Sequence, residues 1–366
     1  MKTLSNLYIG IMSGTSLDGV DVALVDFTNA IPTLVDCYFQ PYAELLKTDL
    51  ITLHHPSPNE LHQAQLIANQ LAREYAKATL CLLQQAGVPN TQVAAIGCHG
   101  QTIRHRPELG YTIQLNNAAL LAELTGIHVV SDFRARDIAA GGQGAPLVPA
   151  FHEQLLRHPL IHRVILNIGG IANVTDLSVD KATLGFDTGP GNLLLDTWIS
   201  QHQGKPYDKD GTWAASGKVM PELLEKLSNE AYFHVAPPKS TGRDLFNLAW
   251  LESYLNGSER PADVQATLLA LTGDSIAKAV KSYCTSAEEI YVCGGGAHNK
   301  QLITHLQRAL PNCQILKSDT LGIDADWMEA MAFAWLAQQS MQLHPSNLPA
   351  VTGARHAVVL GSISPA

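Results

Sequence analysis

The stretch IGIMSGTSLDGVDVALVDF, residues 9–27, places two apolar runs on either side of a loop rich in small and hydroxylated residues. The two runs predict that residues 7–12 and 20–27 are paired β-strands. The loop between them has two interpretations. It is either a tight hairpin and nothing more, or a loop whose backbone N–H groups come close to a phosphate.

Strands and helices alternate along the rest of the chain. Apolar residues recur at three- and four-residue steps over 59–86, which predicts a helix, and the apolar runs 263–280 and 324–337 are predicted to be helices as well. Strands that run into glycine turns are predicted in 92–102, 163–177, 183–199 and 289–306. This alternation predicts an α/β fold with a sheet in each half of the chain.

The length of 366 residues exceeds what one ordinary hydrophobic core supports, so two domains are expected. Gly14 and Gly169 each mark a strand–glycine–strand hairpin. As a sequence repeat this similarity is weak, but as a shape it indicates two similar domains that could clamp one polyphosphate. We expect an N-terminal domain of residues 1–131 plus about 350–366, and a C-terminal domain of residues 132–349.

Composition restricts the class of protein. A net charge of −9 argues against a general nucleic-acid binder, which needs a basic face. No apolar stretch approaches the roughly 18 residues of a membrane span. The six cysteines show no CxxC pair and no metal-ligand spacing, which is typical of free thiols in a reducing cytosol. We therefore expect a cytoplasmic protein with small-molecule substrates, while the oligomeric state, a homodimer included, stays open.

Three glycine turns are candidates for holding an anion. The first loop lacks the G-K-[ST] sequence of a P-loop, and a strand follows it where a dinucleotide-binding motif has a helix. The hydroxyls of Ser13, Thr15 and Ser16 nevertheless suit phosphate oxygens. The second turn is the Gly-Gly pair 169–170, and the third, CGGGAHN at 293–299, leads into a helix. A single turn of this kind is more often structural than functional, but the three turns together form one candidate anion-binding set.

Colinear segments extend this constellation over the whole chain. They are MSGTSLDGVD (12–21), GCHGQT (97–102), DFRARDIAAGGQGAPLVPAFH (132–152), LNIGGIAN (166–173), FDTGPGN (186–192), GKPYDKDG (204–211), PKSTGRDLFN (238–247), DVQATL (263–268), VCGGGAHN (292–299) and DADWMEAMAFAWLA (324–337). With these segments the chain resembles the sugar-kinase, Hsp70 and actin superfamily. More narrowly, it resembles the anhydro-N-acetylmuramic acid kinase family over essentially its whole length.

The resemblance implies two ribonuclease-H-like (actin-like ATPase) domains with an active-site cleft between them. It implies a peptidoglycan-recycling reaction in which 1,6-anhydro-N-acetylmuramic acid, ATP and water give N-acetylmuramic acid 6-phosphate and ADP. The nucleotide-binding residues that it implies are Gly14, Thr15, Ser16, Leu17, Asp18, Gly19, Val20, Asp21, Gly169, Gly170, Asn173, Gly294, Gly295 and Gly296. The implied substrate-binding residues are His99, Gln101, Arg134, Gly189 and Asn192.

The magnesium ion expected with ATP lacks its usual ligand in this sequence. Many members of the superfamily carry an Asp just before the Gly-Thr pair of the first loop, where Met12 and Ser13 stand here. The Mg²⁺ contact is therefore expected through water from Asp18 or Asp21.

Two carboxylates are candidates for catalysis. Asp187 follows an apolar strand and precedes a Gly-Pro-Gly loop, a position from which a carboxylate projects into a cleft. From the residues alone it is a general base, an N-cap-type residue or a Mg²⁺ ligand, and the resemblance places the family's catalytic Asp on it. Glu329 lies on an otherwise apolar helix, where a carboxylate is unfavourable unless it is paired or used. It either helps to position water or sugar, or forms an ion pair across the domain interface.

Histidine and arginine side chains are candidates for contacts with the sugar. His99 lies in a buried turn, which favours a structural or substrate-orienting role over acid–base catalysis. Arg134, Arg136 and Arg243 carry planar guanidinium groups that suit the lactyl carboxylate of a muramic acid, or they form ordinary surface ion pairs. Lys239, beside the prolines of its loop, is a further candidate to donate hydrogen bonds to an anion.

Two other functions fit parts of this pattern. An ordinary hexose or amino-sugar kinase would phosphorylate a free hydroxyl without activating water. A chaperone- or filament-type protein would hydrolyse ATP slowly without any sugar. The motifs fill the chain from residue 9 to about 337, which leaves no room for a peptide-binding appendage of the chaperone type.

Overall fold

The computed structural model describes residues 5–14 and 17–366, and the chain forms two compact units. The first unit comprises Met1–Phe151 and Gly322–Ala366, and the second comprises His152–Leu321. Within the described residues no helix is both long enough and apolar enough to cross a membrane.

The first unit is built on a six-stranded sheet in the order β13-β7-β4-β1-β2-β3. Its strands are β1 (Leu7–Met12), β2 (Gly19–Asp26), β3 (Thr33–Pro41), β4 (Val93–Cys98), β7 (Val129–Ser131) and β13 (Ser362–Ser364). Strands β1, β2 and β3 are antiparallel neighbours, whereas β4 and β7 continue the sheet parallel to β1. A separate hairpin joins β5 (Gln101–Arg106) to β6 (Tyr111–Leu115).

Helices of the first unit cover this sheet. They are α1 (Glu44–Thr52), α2 (Glu60–Ala86), α3 (Ala118–Thr125), α4 (Phe133–Ala139), α5 (Val148–Leu156), α12 (Met328–Met341) and α13 (Pro349–Thr352), and the boundary between the units falls within α5. The helix predicted over 59–86 is confirmed as α2, whose apolar face is buried at Ile67, Leu71, Tyr75 and Leu82. The apolar run at 324–337 is confirmed as helix α12, which begins at Met328 and extends to Met341.

The second unit contains a five-stranded sheet in the order β10-β9-β8-β11-β12. Its strands are β8 (Arg163–Ile168), β9 (Ile171–Leu177), β10 (Leu184–Pro190), β11 (Glu289–Cys293) and β12 (Gln314–Lys317). Its helices are α6 (Leu193–Gln203), α7 (Thr212–Ser216), α8 (Pro221–Ser228), α9 (Leu248–Glu252), α10 (Pro261–Tyr283) and α11 (Lys300–Ala309). Strands β8, β9 and β10 are antiparallel, and β11 and β12 run parallel to β8.

The two sheets share one topology. Each begins with three antiparallel strands, whose first strand then pairs with a parallel strand that follows later in the chain. The Gly14 loop joins the first two strands in one sheet, and the Gly169–Gly170 turn joins the first two strands in the other. The expected pair of similar ribonuclease-H-like domains is thus confirmed, although the hairpins share little sequence.

The division between the units differs from the sequence-based limits, which assigned residues 132–349 to the C-terminal domain. Residues 132–151 and 322–349 belong to the first unit. Helix α12 approaches the first sheet so closely that a Cβ atom at Gly10 would lie 1.7 Å from the Ala330 carbonyl oxygen. A Cβ at Gly97 would lie 2.0 Å from the Phe333 carbonyl oxygen. Because only glycine permits this approach, β1 and β4 fix the helix to their own sheet.

Asp137 is a fully buried carboxylate that connects the C-terminal residues to the glycine-rich turn after α4. Its Oδ1 accepts hydrogen bonds from Asn347 Nδ2 at 2.6 Å and from Thr352 Oγ1 at 2.7 Å. Its Oδ2 accepts the Gly144 backbone N–H at 2.7 Å. A buried carboxylate is stable when its oxygens accept several hydrogen bonds, so this residue organises the segment around it.

We predict that Asp137→Ala lowers the free energy of unfolding by about 3 kcal/mol or more, because it leaves buried donors without an acceptor. Urea unfolding followed by circular dichroism measures this change. The matched control is Asp180→Ala at an exposed position, which should change the free energy by no more than about 0.5 kcal/mol. Equal unfolding midpoints for the two variants would contradict the role assigned to Asp137.

Candidate active site

A buried hydrogen-bond network in the first unit joins the Gly14 loop to the start of β5. The Ser13 hydroxyl donates to Gln101 Oε1 at 2.5 Å, and Gln101 Nε2 donates to the Gly14 carbonyl oxygen at 3.3 Å. Ser13 is also 2.7 Å from the Tyr42 hydroxyl, which itself donates to the Tyr75 hydroxyl at 3.4 Å. The structure thus brings one predicted nucleotide residue, Gly14, against one predicted substrate residue, Gln101.

Other residues of this loop that were predicted to bind the nucleotide are explained by packing within the first unit. Leu17 and Val20 are buried among apolar side chains. A Cβ at Gly19 would lie 2.3 Å from the Gln40 carbonyl oxygen, so packing against β3 accounts for that glycine. These residues offer a ligand only their backbone. The predicted contacts of Thr15 and Ser16 lie outside the described residues.

His99, Arg134 and Glu329 form a second group in the first unit. Arg134 Nε and Nη2 donate to His99 Nε2 at 3.1 and 2.9 Å, and Nη1 donates to the Gly144 carbonyl oxygen at 2.8 Å. Burial and the Arg134 charge hold the pKa of His99 well below its usual value, so the imidazole is neutral. Burial also lowers the pKa of Arg134 to about 10, although the Glu329 carboxylate opposes that change.

Carboxylates gather beside this group. Burial raises the pKa of Asp21 to about 7, and the negative charges of Glu329, Asp326 and Asp18 add to this effect. Burial raises the pKa of Glu329 too, while the Arg134 charge opposes it. The crowding of like charge favours either protonation or a cation.

The donor set fits a hydrated magnesium ion better than a directly coordinated one. Among the residues that the structure describes, no three His, Cys, Asp or Glu side chains are arranged to hold a metal ion. Mg²⁺ prefers carboxylate oxygens, dehydrates reluctantly and commonly keeps several waters. Exposed Asp18 and half-buried Asp21 therefore suit a water-mediated contact.

The predicted glycine turns of the second unit meet at one end of its sheet. The parallel strands β8 and β11 pair as far as Asn167 and Cys293, so the turns that follow them are neighbours. Gly169 O accepts the Asn192 backbone N–H at 2.8 Å, and the Asn192 side chain donates to the Ile168 carbonyl oxygen at 3.1 Å. The Gly169–Gly170 turn, Asn192 and the turn at 294–296 therefore form one group, with Asn173 paired in the sheet between Asn167 and Asp187.

Only some of these glycines are explained by the unit's own packing. Gly294 has φ +77°, and a Cβ there would lie 2.4 Å from Asn167 Oδ1. A Cβ at Gly296 would lie 2.3 Å from Ile168 Cγ2. At Gly169, Gly170 and Gly295 the backbone lies outside the left-handed region, and the nearest atoms to a Cβ would be 3.7, 3.8 and 3.8 Å away. Within the described residues nothing requires glycine at these positions, which leaves bare backbone for a ligand to approach.

Gly189 differs from that group. It lies at a bulge between β10 and β9 with φ +151°, and a Cβ there would lie 2.6 Å from the Phe233 ring. Backbone conformation and packing thus account for this glycine, so its identity supplies no signal for substrate binding.

Asp187 is the middle residue of β10, just before the bulge at Gly189, and one of its carboxylate oxygens accepts a hydrogen bond. Its Oδ2 accepts the Thr241 backbone N–H at 2.9 Å, and Oδ1 accepts no hydrogen bond from the part of the chain that the structure describes. Burial raises the pKa of Asp187 to about 6, against the opposing effects of that N–H and of the Lys239 charge. The N-cap alternative is wrong, because α6 begins at Leu193 and its N-cap residue is Asn192.

Sequence reasoning missed two residues that contact Asp187. The Tyr232 hydroxyl donates to the Asp187 carbonyl oxygen at 2.7 Å, and Thr241 acts through its backbone N–H. Their only signal was the segment PKSTGRDLFN, which contains Thr241 but not Tyr232. The predicted site residues thus form two groups, one in each unit.

Comparisons with known proteins agree on one family. The family model described as anhydro-N-acetylmuramic acid kinase matches residues 6–366. The chain is 58% identical over 361 residues to the anhydro-N-acetylmuramic acid kinase of Nitrosospira multiformis, covering 98% of this chain and 99% of that relative. It is 55% identical over 361 residues to the enzyme of the same name from Nitrosomonas europaea, again covering 98% and 99%.

Solved structures show a more distant likeness. One is the activator of the 2-hydroxyisocaproyl-CoA dehydratase from Clostridium difficile with bound ADPNP. It is 12% identical with a TM-score of 0.47, over 92% of this chain and 97% of that chain.

We predict that Gly170→Ala weakens the binding of an ATP analogue with Mg²⁺ by about tenfold or more, because a methyl group would occupy space left for the ligand. It should change the free energy of unfolding by no more than about 0.5 kcal/mol. Isothermal titration calorimetry and urea unfolding measure the two quantities.

The comparison variant is Gly294→Ala, which should lower the free energy of unfolding by about 2 kcal/mol or more through backbone strain and a close contact. Unchanged nucleotide affinity in a folded Gly170→Ala protein would show that the bare turn does not face the nucleotide.

Proposed function

Because the chain belongs to the anhydro-N-acetylmuramic acid kinase family, we propose that it hydrolytically opens 1,6-anhydro-N-acetylmuramic acid and phosphorylates O6. ATP is the phosphoryl donor, and the products are N-acetylmuramic acid 6-phosphate and ADP. The reaction recovers an amino sugar from cell-wall peptidoglycan. The observation that carries the proposal is the half-buried Asp187 carboxylate, with Oδ2 held by a backbone N–H and Oδ1 available to accept a proton.

The chemistry requires a base next to the anomeric carbon. Water forms a bond to C1 as the C1–O6 bond breaks, and O6 takes the γ-phosphoryl group while ADP leaves. The proton from the water passes to Asp187 Oδ1 and then to solvent. General-base assistance of this kind contributes about 10²- to 10⁴-fold in rate.

The pKa of Asp187 suits this role. With a pKa of about 6 the carboxylate is about nine-tenths ionised at pH 7, yet more basic than an ordinary aspartate. The Thr241 N–H fixes Oδ2 and thereby the direction in which Oδ1 points. A carboxylate that is both ionised and oriented is ready to accept a proton without rearrangement.

The nucleotide phosphates are proposed to lie against bare backbone. Gly169, Gly170 and Gly295 offer N–H groups without an intervening side chain, and the Gly14 loop is the corresponding hairpin of the first unit. Asp18 and Asp21 would hold Mg²⁺ through water, and the ion when bound supplies positive charge to the phosphoryl oxygens.

The first-unit group is proposed to bind the sugar. Arg134 and Gln101 have N–H groups beyond those bonded to His99, Gly144 and Gly14, and neutral His99 is fixed by Arg134 in an orienting rather than an acid–base role. Glu329 is proposed to assist in positioning water or sugar, because burial raises the pKa of its carboxyl group while the Arg134 charge opposes that rise.

The test is ATP consumption with Mg²⁺ in ¹⁸O-labelled water. The substrates compared are 1,6-anhydro-N-acetylmuramic acid, N-acetylmuramic acid and no sugar. We expect ADP only with the anhydro sugar, and ¹⁸O at the anomeric oxygen of the 6-phosphate. Turnover of N-acetylmuramic acid instead would identify an ordinary amino-sugar kinase, and turnover without sugar would identify an ATPase of the chaperone or filament type.

We predict that Asp187→Asn lowers kcat by about 10²- to 10⁴-fold while it retains the fold and the affinity for an ATP analogue. Coupled detection of ADP, calorimetry and circular dichroism measure the three properties. Asp180→Asn, at an exposed position after β9, is the matched control and should keep wild-type kcat. Near-normal turnover in Asp187→Asn would exclude Asp187 as the base.

The pH dependence of kcat/KM provides an independent prediction. Asp187 must be deprotonated to accept a proton, and its pKa of about 6 exceeds that of a solvated aspartate. The value of kcat/KM should therefore be constant above this pKa and fall as the pH drops through about 6. A profile that stays flat down to pH values near 4, where an ordinary aspartate titrates at about 3.9, would contradict the assignment.

A further inference from the structure

A cavity of about 100 Å³ lies in the second unit beside β10, the edge strand of its sheet. Its walls come from β10, helix α10, the last residue of helix α8 and the segment that follows α8. Buried Thr188 and Ser275 line it, together with the Phe233 ring. Since a cavity of about 150 Å³ is enough to hold benzene, this one has room for a small ion but not for a nucleotide.

Two lysine side chains line this one cavity. Half-buried Lys239 comes from the segment after α8, and Lys278 comes from α10. Neither forms an ion pair with a carboxylate in the part of the chain that the structure describes. Burial and the charge of Lys278 lower the pKa of Lys239, because the like charges repel each other. An anion between the two ammonium groups would replace this repulsion with two attractions.

The Lys239 ammonium is held in place and still has hydrogens to donate. Its Nζ donates to the Tyr232 carbonyl oxygen at 3.1 Å and lies 4.5 Å from the centre of the Tyr232 ring. An ammonium group has three N–H donors, so two of them remain for a ligand. A side chain that is already fixed loses little conformational entropy when it binds, which favours its use in a binding site.

Two hydroxyl groups in the cavity lining add further donors. Half-buried Ser228 and exposed Ser282 form no hydrogen bond through their hydroxyls within residues 5–14 and 17–366. The hydroxyls of Thr188 and Ser275, in contrast, already donate to backbone carbonyl oxygens, at 3.1 and 3.0 Å. The donors available to a ligand are therefore two ammonium groups and two hydroxyls.

Asp274 is the only acidic residue among the described residues that line the cavity, and its charge opposes an anion. Its Oδ1 lies 2.8 Å from His305 Nε2 of α11, which offers the carboxylate a partner outside the lysine pair. Two lysines against one aspartate leave the lining with a positive charge. In a chain with a net charge of −9, this positive cavity is a local feature.

The types of donor favour a tetrahedral oxyanion over a planar carboxylate. None of the described residues in the lining is an arginine, whose planar guanidinium matches a carboxylate. Lysine acts as a point charge and commonly binds phosphate. The donors also come from different walls of the cavity, and a tetrahedral ion accepts hydrogen bonds from several directions.

We propose that this cavity is a binding site for a tetrahedral oxyanion of the phosphate class, held between Lys239 and Lys278 with Ser228 and Ser282 as additional donors. The ion is either free phosphate or the phosphate group of a larger molecule that extends from the cavity into solvent. The sequence indicated Lys239 as a candidate donor to an anion, and the cavity supplies the second cation that such a site requires.

The cavity is distinct from the groups proposed for catalysis and for the nucleotide. Asp187, Gly169, Gly170 and Gly295 do not line it. It borders Asp187 only through the backbone, since the Asp187 N–H donates to the Lys239 carbonyl oxygen at 3.1 Å. The inference therefore does not rest on the proposed function, and binding can be measured without turnover.

The experiment is isothermal titration calorimetry on the full chain with a saturating ATP analogue and Mg²⁺, so that the nucleotide site is filled. The titrants are sodium phosphate, sulfate, acetate and chloride at constant ionic strength, because added salt screens charge. We expect saturable binding of one phosphate or one sulfate ion for each chain. Acetate and chloride should bind at least about tenfold more weakly.

Variants locate the ion. Lys278→Met should weaken phosphate binding by about tenfold or more through loss of one charge-assisted contact, and Lys239→Gln should do the same. Because Lys278 is exposed, its replacement should leave the fold and the nucleotide affinity unchanged. Lys281→Met is the matched control: it removes an exposed lysine of α10 that does not line the cavity, and should keep the affinity within about twofold.

Glycerol 3-phosphate distinguishes the two sources of the phosphate group. Binding as tight as that of inorganic phosphate would show that the site accepts the phosphate of a larger molecule, and much weaker binding would show that it takes the free ion. Both results support the site, provided that Lys278→Met weakens them.

Two results would overturn the proposal. One is the absence of saturable phosphate and sulfate binding to the wild-type protein. The other is equal phosphate affinity in Lys278→Met, Lys239→Gln and Lys281→Met, because the ion would then bind elsewhere. Acetate that binds as tightly as phosphate would overturn the assignment to a tetrahedral oxyanion.

Discussion

The balance between burial and hydrogen bonding at Asp187 is the constraint on which the rest of the site depends. A carboxylate that accepts a proton near neutral pH must be partly withdrawn from water, and withdrawal alone would leave it protonated. One backbone N–H, from Thr241, and one ammonium, from Lys239, offset that effect and leave the pKa at about 6. The pKa of Asp187 therefore depends on strand β10, which carries the residue, and on the loop after α8, which supplies Thr241 and Lys239.

The glycines in the turns of the second unit fall into two classes, those required by packing and those that packing does not explain. At Gly294 and Gly296 the absence of a side chain lets the turn after β11 pack against β8, so these glycines maintain the fold. Neither crowding nor backbone conformation requires a glycine at Gly169, Gly170 or Gly295. Because unneeded glycine in a turn loses conformational entropy on folding, its presence indicates a benefit outside the unit's own packing. A phosphate chain laid along the backbone supplies such a benefit.

Much of the fold could be predicted from the sequence because the signals are local. Two apolar runs around a small-residue loop were enough to predict the β1–β2 hairpin, and the three- and four-residue spacing over 59–86 predicted α2. The domain limits could not be predicted in this way. Gly10 and Gly97 determine that α12 packs on the first sheet, but the helix lies more than 200 residues further along the chain. A glycine in a strand does not disclose which distant backbone approaches it.

The candidate site likewise has a part that the sequence predicts and a part that it does not. Asp187 and the glycine turns lie in recognisable motifs. The residues that contact Asp187 do so through a backbone N–H, in Thr241, or through the hydroxyl of a residue distant in the sequence, Tyr232. Thr241 contributes only its backbone N–H, so its residue type does not predict the contact. Lys239 was recognised as a cation, yet its contact with Asp187, 52 positions earlier, is a hydrogen bond from the Asp187 backbone N–H to the Lys239 carbonyl oxygen. Sequence motifs thus identify the groups proposed to react, while the packing that sets the pKa of Asp187 comes from residues distant in the sequence.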